Sequence, residues 1–225
     1  MHMTDAGMQP TLKVEGLTKR FAEHTLWSRL SFDAGPGSII AVSGPSGAGK
    51  TTLLNCVGLL EDFDEGSVTY NEGTFRSGYL HKSRKGQRVC LRENIGFLFQ
   101  NYGLVEQWNV SRNLQIPLKM KKREHRKERD ERIDSVLDIV GMNGSQKKKI
   151  YTLSGGEQQR IALARLLLKQ PSVILADEPT SALDQDNANV VIRILCELAE
   201  QGAAVIISTH NEEIKQICSS IIEIG

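Results

Sequence analysis

The sequence predicts an α/β protein with a helical lobe inserted into it, and three observations carry that prediction. An apolar run, Ile39 to Val42, leads through a glycine-rich loop into a second apolar segment from Leu53 that can open a helix. Two later runs of strand length, Val173 to Ala176 and Ala203 to Ser208, flank a helical pattern formed by Val190, Val191, Ile194, Leu195 and Leu198. From Asn101 to about Gln146 the period becomes helical, with Ile133, Val136, Leu137 and Val140 at i, i+3, i+4, i+7. Strands that alternate with helices build α/β sheets, and the helical stretch adds a lobe.

A chain of 225 residues makes one domain, or one domain with a lobe. Its 40% hydrophobic and 24% charged residues are ordinary for a globular protein, and no apolar stretch approaches the roughly 20 residues of a membrane helix. Direct membrane insertion is therefore not expected, and any membrane role comes through a partner. A net charge of +1 creates no field to hold polyanions, so nucleic acid is not expected either. Cys56, Cys90, Cys196 and Cys218 lie far apart without C-x-x-C spacing and read as reduced core thiols. Met1 to Pro10 is short and polar, without the pattern of a signal peptide.

Taken in chain order, Leu12, Val14 and Leu17 begin a strand that reaches Phe21, and Leu30 to Asp33 form a second, ended by Gly35-Pro36-Gly37. Phe21 stands in a short basic turn. Its ring could stack on a flat base for about 1 to 3 kcal/mol, although a core phenylalanine is the commoner use of such a residue. Ser43 to Thr52 then reads S-G-P-S-G-A-G-K-T-T, in which Gly44 to Thr51 fits G-x-x-x-x-G-K-[ST]. Glycines let the backbone turn tightly enough for consecutive N–H groups to face phosphate oxygens at a helix N-terminus. Gly44, Pro45, Ser46, Gly47, Ala48, Gly49, Lys50, Thr51 and Thr52 are thus candidate phosphate contacts. Lys50 is the mobile cation, and the Thr51 hydroxyl is the oxygen ligand a magnesium ion wants.

The helix after Lys50 should run to Leu60 and end in acidic, glycine-containing sequence. Ser67 to Arg92 is poorly patterned, and its basic group (Lys82, Arg84, Lys85, Arg88) reads as a solvated loop. Ile95 to Phe99 reads as a buried strand that puts Gln100 at its end, where α/β sheets carry their sites. The run Lys119 to Arg132 carries both charge signs and reads as a solvated helix face.

Leu153 to Arg160 (L-S-G-G-E-Q-Q-R) opens a further helix. Ser154 and Glu157 form a capping box, and Gly155 and Gly156 would let an anion approach the backbone closely, which makes a second phosphate-binding helix start. The strand Val173 to Ala176 ends in Asp177 and Glu178. In a nucleotide site the first carboxylate can hold magnesium through water and the second can polarise an attacking water; a solvent-facing acidic pair has the same spacing. The turn Pro179 to Asp184 enters a helix, Ala203 to Ser208 delivers Thr209-His210, and Ile221 to Ile224 is a last strand. A lone His210 would read as a satisfied turn histidine.

These pieces, in this order, resemble the ATP-binding subunit of an ABC transporter, from Phe21 to His210. The most specific element is Leu153 to Arg160, since a phosphate loop alone is shared with kinases, helicases and GTPases. The resemblance implies a RecA-like P-loop NTPase core with an antiparallel β subdomain (11–100 and 171–225) and an inserted helical subdomain (101–170). It also implies ATP and Mg2+ as ligands. Phe21 would stack on adenine, where tyrosine is more common. Lys50 and Thr51 would contact phosphate and magnesium, and Gln100 would sense magnesium and water beside the membrane partner. Asp177 would be the magnesium carboxylate, Glu178 the catalytic base and His210 the γ-phosphate switch. Asp184 would lie at a dimer interface, where Ser154, Gly155, Gly156 and Glu157 meet the nucleotide of a second subunit.

The implied assembly is a head-to-tail dimer of ATPase subunits, most simply a homodimer, on a transmembrane permease at the cytoplasmic face of the membrane. A finer resemblance, in Ile174 to Thr180, Ile95 to Gln100 and Thr52-Leu53-Leu54-Asn55, is to the macrolide-exporter, lipoprotein-release and bacteriocin-export branch. A mechanotransmission ATPase would carry the same motifs. A soluble ABC-type ATPase acting on ribosomes or DNA would usually carry two cassettes or a coiled-coil insertion.

Overall fold

Apolar residues two apart in the first two strands pair them into a hairpin that starts the fold. The structure, a computed structural model, describes residues 11–22, 24–71, 73–82, 84–120 and 125–225. The expectation for residues 1–10, and the middle of the charged run 119–132, fall outside these. Strand β1 (Leu12–Phe21) pairs antiparallel with β2 (His24–Ala34), from Leu12 opposite Ala34 to Phe21 opposite His24. The second strand is therefore longer than residues 30–33, and Phe21 closes β1 instead of standing in a free turn. The chain continues through β3 (Ile39–Ser43), α1 (Lys50–Val57), β4 (Glu65–Tyr70), β5 (Gly73–Arg76), α2 (Tyr79–Lys82), α3 (Arg84–Glu93) and β6 (Ile95–Leu98). Next come α4 (Val110–Met120), α5 (Arg126–Ile139), a 3-10 turn at Ile150–Thr152 and α6 (Gly155–Lys169). The last elements are β7 (Val173–Asp177), α7 (Gln185–Glu200), β8 (Ala204–Ser208), α8 (Glu212–Ile217) and β9 (Ser220–Glu223).

The strands form two sheets. One is antiparallel with the order β2-β1-β4-β5, and the other is parallel with the order β6-β7-β8-β3-β9. Central parallel strands are buried on both faces, which is why they read as unbroken apolar runs. Ile40, Val42, Leu175 and Ile206 face one core with α1 and the antiparallel sheet. Ile174, Ala176, Val205 and Ile207 face the other core, with α6, α7 and the helical segment. Ile133, Val136, Leu137 and Val140 are all buried there, as their spacing requires. Val42 and Asp177 both lie opposite Ser208, so β3, β7 and β8 end level and their loops leave from one edge. Ligands of open α/β sheets bind at that edge. No helix of the described residues is long and apolar enough to cross a membrane.

One expectation fails in residues 67–92. The basic group does not lie in a loop: Lys82 ends α2, and Arg84, Lys85 and Arg88 belong to α3, where Lys85 and Arg88 are exposed. Around that group, among the described side chains of residues 79–92, the buried anchors are Tyr79 and Cys90, and a ring contact of 5.6 Å between Phe75 and Tyr79 ties the segment to β5. Anchors so sparse leave no readable period. Of the cysteines, Cys56 and Cys90 are buried, and Cys196 and Cys218 are half-buried. Burial pushes the Cys56 thiol up to about 12.

Candidate functional site

Gly49 caps the start of α1 at φ 91 with no side-chain acceptor, so the first-turn amides stay open to an anion. A side chain at Gly49 would sit 2.8 Å from Leu26 Cδ1, and one at Gly44 would sit 2.2 Å from the carbonyl oxygen of Ile224. Glycine is thus required at both ends of the loop by close packing as well as by the turn. Lys50 is buried, and its Nζ donates to the carbonyls of Gly44 at 2.8 Å and Pro45 at 3.1 Å. The cation is stored on the carbonyls of its own loop. Pro45 and Ala48 pack toward Gly225, behind the loop.

The parallel sheet then brings residues far apart in sequence to this loop. Thr51 Oγ1 donates to Asp177 Oδ2 at 2.8 Å, and Ser208 Oγ donates to Asp177 Oδ1 at 2.6 Å. The backbone N–H of Glu178 is held by the carbonyl of Ser208 at 3.1 Å and by Ser208 Oγ at 3.0 Å. Glu178 adopts a left-handed φ of 45, a conformation that costs a non-glycine residue about 1–3 kcal/mol and persists only where its surroundings hold it. Its buried Oε1 makes no hydrogen bond yet lies 3.1 Å from His210 Nε2, out of hydrogen-bonding alignment. His210 is placed by Thr209, whose N–H donates to the carbonyl of Val42 at 3.1 Å.

One open cavity of about 590 Å³ joins these groups: Phe21, Ser46, Gly47, Gly49, Lys50, Thr51, Thr52, Gln100, Asp177, Glu178 and His210 all line it. Leu26 and Ser181 line it too. Sequence reasoning missed both, and it missed Ser208 under Asp177. Ser181 sits three residues after Glu178 and donates to its carbonyl at 3.0 Å, a turn signal that could have been read. Leu26 had no signal, because only the packing of β2 against Gly49 brings it there. Among the described residues no three His, Cys, Asp or Glu side chains cluster to hold a metal. The Thr51 hydroxyl beside Asp177 Oδ2 supplies two hard oxygen donors, which fits a magnesium ion that takes its other ligands from water and phosphate.

The helix start at residues 154–157 lies outside this cavity. Ser154 caps α6, accepting from the N–H of Glu157 at 3.3 Å, while Glu157 Oε2 accepts from the N–H of Ser154 at 2.8 Å. Ser154 and Gly155 are exposed, and Gly156 lies against the amide of Asn187. Asp184 caps α7: Oδ1 accepts from the N–H of Asn187 at 2.9 Å and Oδ2 from its side chain at 2.7 Å. Those bonds hold its carboxyl below the usual range. Both oxygens are thus used inside the chain.

The chain is similar to known proteins over most of its length. The family model described as ABC transporter matches residues 27–181. The L-cystine transport system ATP-binding protein TcyN of Escherichia coli (strain K12) is 36% identical over 88% of this chain and 80% of its own length. The lipoprotein-releasing system ATP-binding protein LolD of Bacteroides thetaiotaomicron is 36% identical over 92% of this chain and 93% of its own. Among solved structures, a dimeric ATP-binding cassette in a post-hydrolysis state with ADP and Pi superposes with a TM-score of 0.84. That pair is 30% identical, over 95% of this chain and 94% of the other.

Proposed function

The chain belongs to the ABC transporter family of ATP-hydrolysing cassettes, and from that premise we propose that it powers a separate membrane permease in an extrusion or lipoprotein-release complex. The observation that carries this reading is the division of the two phosphate-binding helix starts. One opens into the cavity with Lys50, Thr51, Asp177, Glu178 and His210, and the other, with Ser154 and Gly155 exposed, lies outside it. A site completed by a second copy uses both.

In this reading the amides of residues 44–49 cradle the phosphates, and Lys50 leaves the carbonyls of Gly44 and Pro45 to reach the outer ones. Thr51, Asp177 and Gln100 would hold magnesium, which neutralises the charge that builds on the phosphoryl group. Glu178 takes a proton from the attacking water, and His210, 3.1 Å away, orients it against the γ-phosphate. Phe21 stacks on the base. Ser154, Gly155, Gly156 and Glu157 of one subunit close over the nucleotide of the other, with Asp184 at the seam. The division into a core (11–100 and 171–225) and a helical lobe (101–170) belongs to the same proposal.

Glu178→Gln should keep ATP binding and lose turnover by about two to four orders of magnitude, the scale of a positioned general base. Phosphate release near the normal rate would put the base elsewhere. The relatives include an L-cystine transport ATPase and a lipoprotein-releasing ATPase, so direction needs its own test. Reconstituted in vesicles with the membrane protein encoded beside it, the cassette should drive substrate away from its own side when ATP is added. ATP-driven accumulation on the cassette side would assign it to import. A neighbour with four spans and a large external domain supports extrusion.

A further inference from the structure

Glu178, assigned to hydrolysis, stands on left-handed backbone, and the turn that follows Gln100 is left-handed too. Glu178 has φ 45, and just beyond Gln100 the residues Tyr102 and Gly103 have φ 62 and 58. Both turns are tied to the same helix. Gln159, 2% exposed on α6, donates from Nε2 to the carbonyl of Pro179, the residue after Glu178, at 3.1 Å. Arg165, further along α6, donates from one terminal nitrogen to the carbonyl of Gly103 and from the other to the carbonyl of Tyr102 at 2.9 Å. Tyr102 also reaches the first turn of α6: a Cβ at Gly155 would sit 3.0 Å from its hydroxyl. Glu178 itself is bonded locally, by Ser181, and from β8, by Ser208.

We infer that Gln159 and Arg165 are positioning residues for hydrolysis, mounting Glu178 and Gln100 on the helix whose first turn carries Ser154, Gly155 and Gly156. A buried amide that loses its acceptor is left unsatisfied away from water, so Gln159 does not release Pro179 readily. A base displaced by about 1 Å can lose about 10²-fold in rate, so a turn with an uncommon φ needs such a mount. For the role of residues 154–156 the inference rests on the shared-site reading above. A motion of α6 during dimer closure then reaches the attacking water in the cavity of the same chain.

The test is a cycle of turnover measurements on the full chain. Gln159→Met keeps the length of the side chain and removes its donor. It should lower kcat about 10- to 100-fold with the ATP dissociation constant within about twofold. In a Glu178→Gln background the same substitution should change the residual single-turnover rate by less than about twofold, because the group it positions is gone. Arg165→Met should behave in the same way toward Gln100→Ala. An unchanged kcat overturns the inference, and so does an equal loss in both backgrounds. If Gln159→Met does not fold, Gln159→Glu takes its place, and failure of both to fold overturns it as well, since the bond then serves the core. ATP hydrolysis by the unaltered chain and ATP-dependent dimerisation of Glu178→Gln are measured first. Their absence would count against the shared-site reading, whereas an additive cycle in their presence counts only against the mount.

Discussion

Phe21 is 50% exposed at the cavity, and Lys19 Nζ lies 4.9 Å from its ring centroid, which leaves the other face for a base. Lys19 is itself fixed, by Glu61 at 2.9 Å and the carbonyl of Asp62 at 2.7 Å. Phe21→Ala should therefore weaken ATP and GTP alike, by the roughly 1–3 kcal/mol of one stacked base, because a π-face carries no hydrogen-bond pattern. Equilibrium titration with both nucleotides checks this, and loss of only one would point to a base-reading contact instead. At this scale much was legible, since the glycine loop, the paired carboxylates and the terminal histidine each carry a chemical reason for their residue type. Ser208 was not. A serine at the end of an apolar strand has no pattern, and its two bonds to Asp177 and Glu178 exist only because β7 and β8 pair in register.

Among the elements, α6 is tied to several others, and Lys169 near its end makes a pH-dependent connection. Its Nζ donates to the carbonyls of Leu91 and Ile95, both at 2.5 Å, fastening α6 to α3 and β6. Burial first, and then the charge of Arg165, pull its pKa from 10.5 down to about 8. Between those values the unfolded chain still holds this proton and the folded chain has released it, so this contribution to stability rises with pH from about 8 to 10.5. Lys169→Met removes it. The melting temperature of the parent relative to this variant should climb across that window, by about 2–4 °C for each kcal/mol at this size. Buried thiols such as Cys56 act in the opposite direction but are common to both chains and cancel. A flat difference would mean that the folded chain keeps the proton. The sequence announced α6 through its capping box and α5 through its apolar period, whereas α3 stayed hidden because aromatic contacts from β5 and α2 anchor that region.

For the whole molecule, the separation of residues 154–156 from the cavity makes a prediction about two chains. Ser154→Arg and Lys50→Ala chains should each fail to form an ATP-bound dimer alone, yet a mixture can gather both faults into one interface and leave the other intact. With Glu178→Gln in both chains to prevent turnover, sedimentation should show partial recovery of the ATP-dependent dimer, as expected when a ligand binds only the closed state. If ATP leaves Glu178→Gln monomeric with neither loop altered and the permease supplied, residues 154–157 are only a well-capped helix start. By itself the sequence determined the α/β class, the strand-loop-helix around Lys50 and the identity of most cavity residues, because loops that turn on glycine and strands buried on both faces leave local, periodic traces. What only the tertiary structure decided was which of those residues meet. The order β6-β7-β8-β3-β9 places Thr51 against Asp177 and Glu178 beside His210, and it leaves Ser154 outside. Strand order is set by packing between segments more than a hundred residues apart, and no local pattern records it.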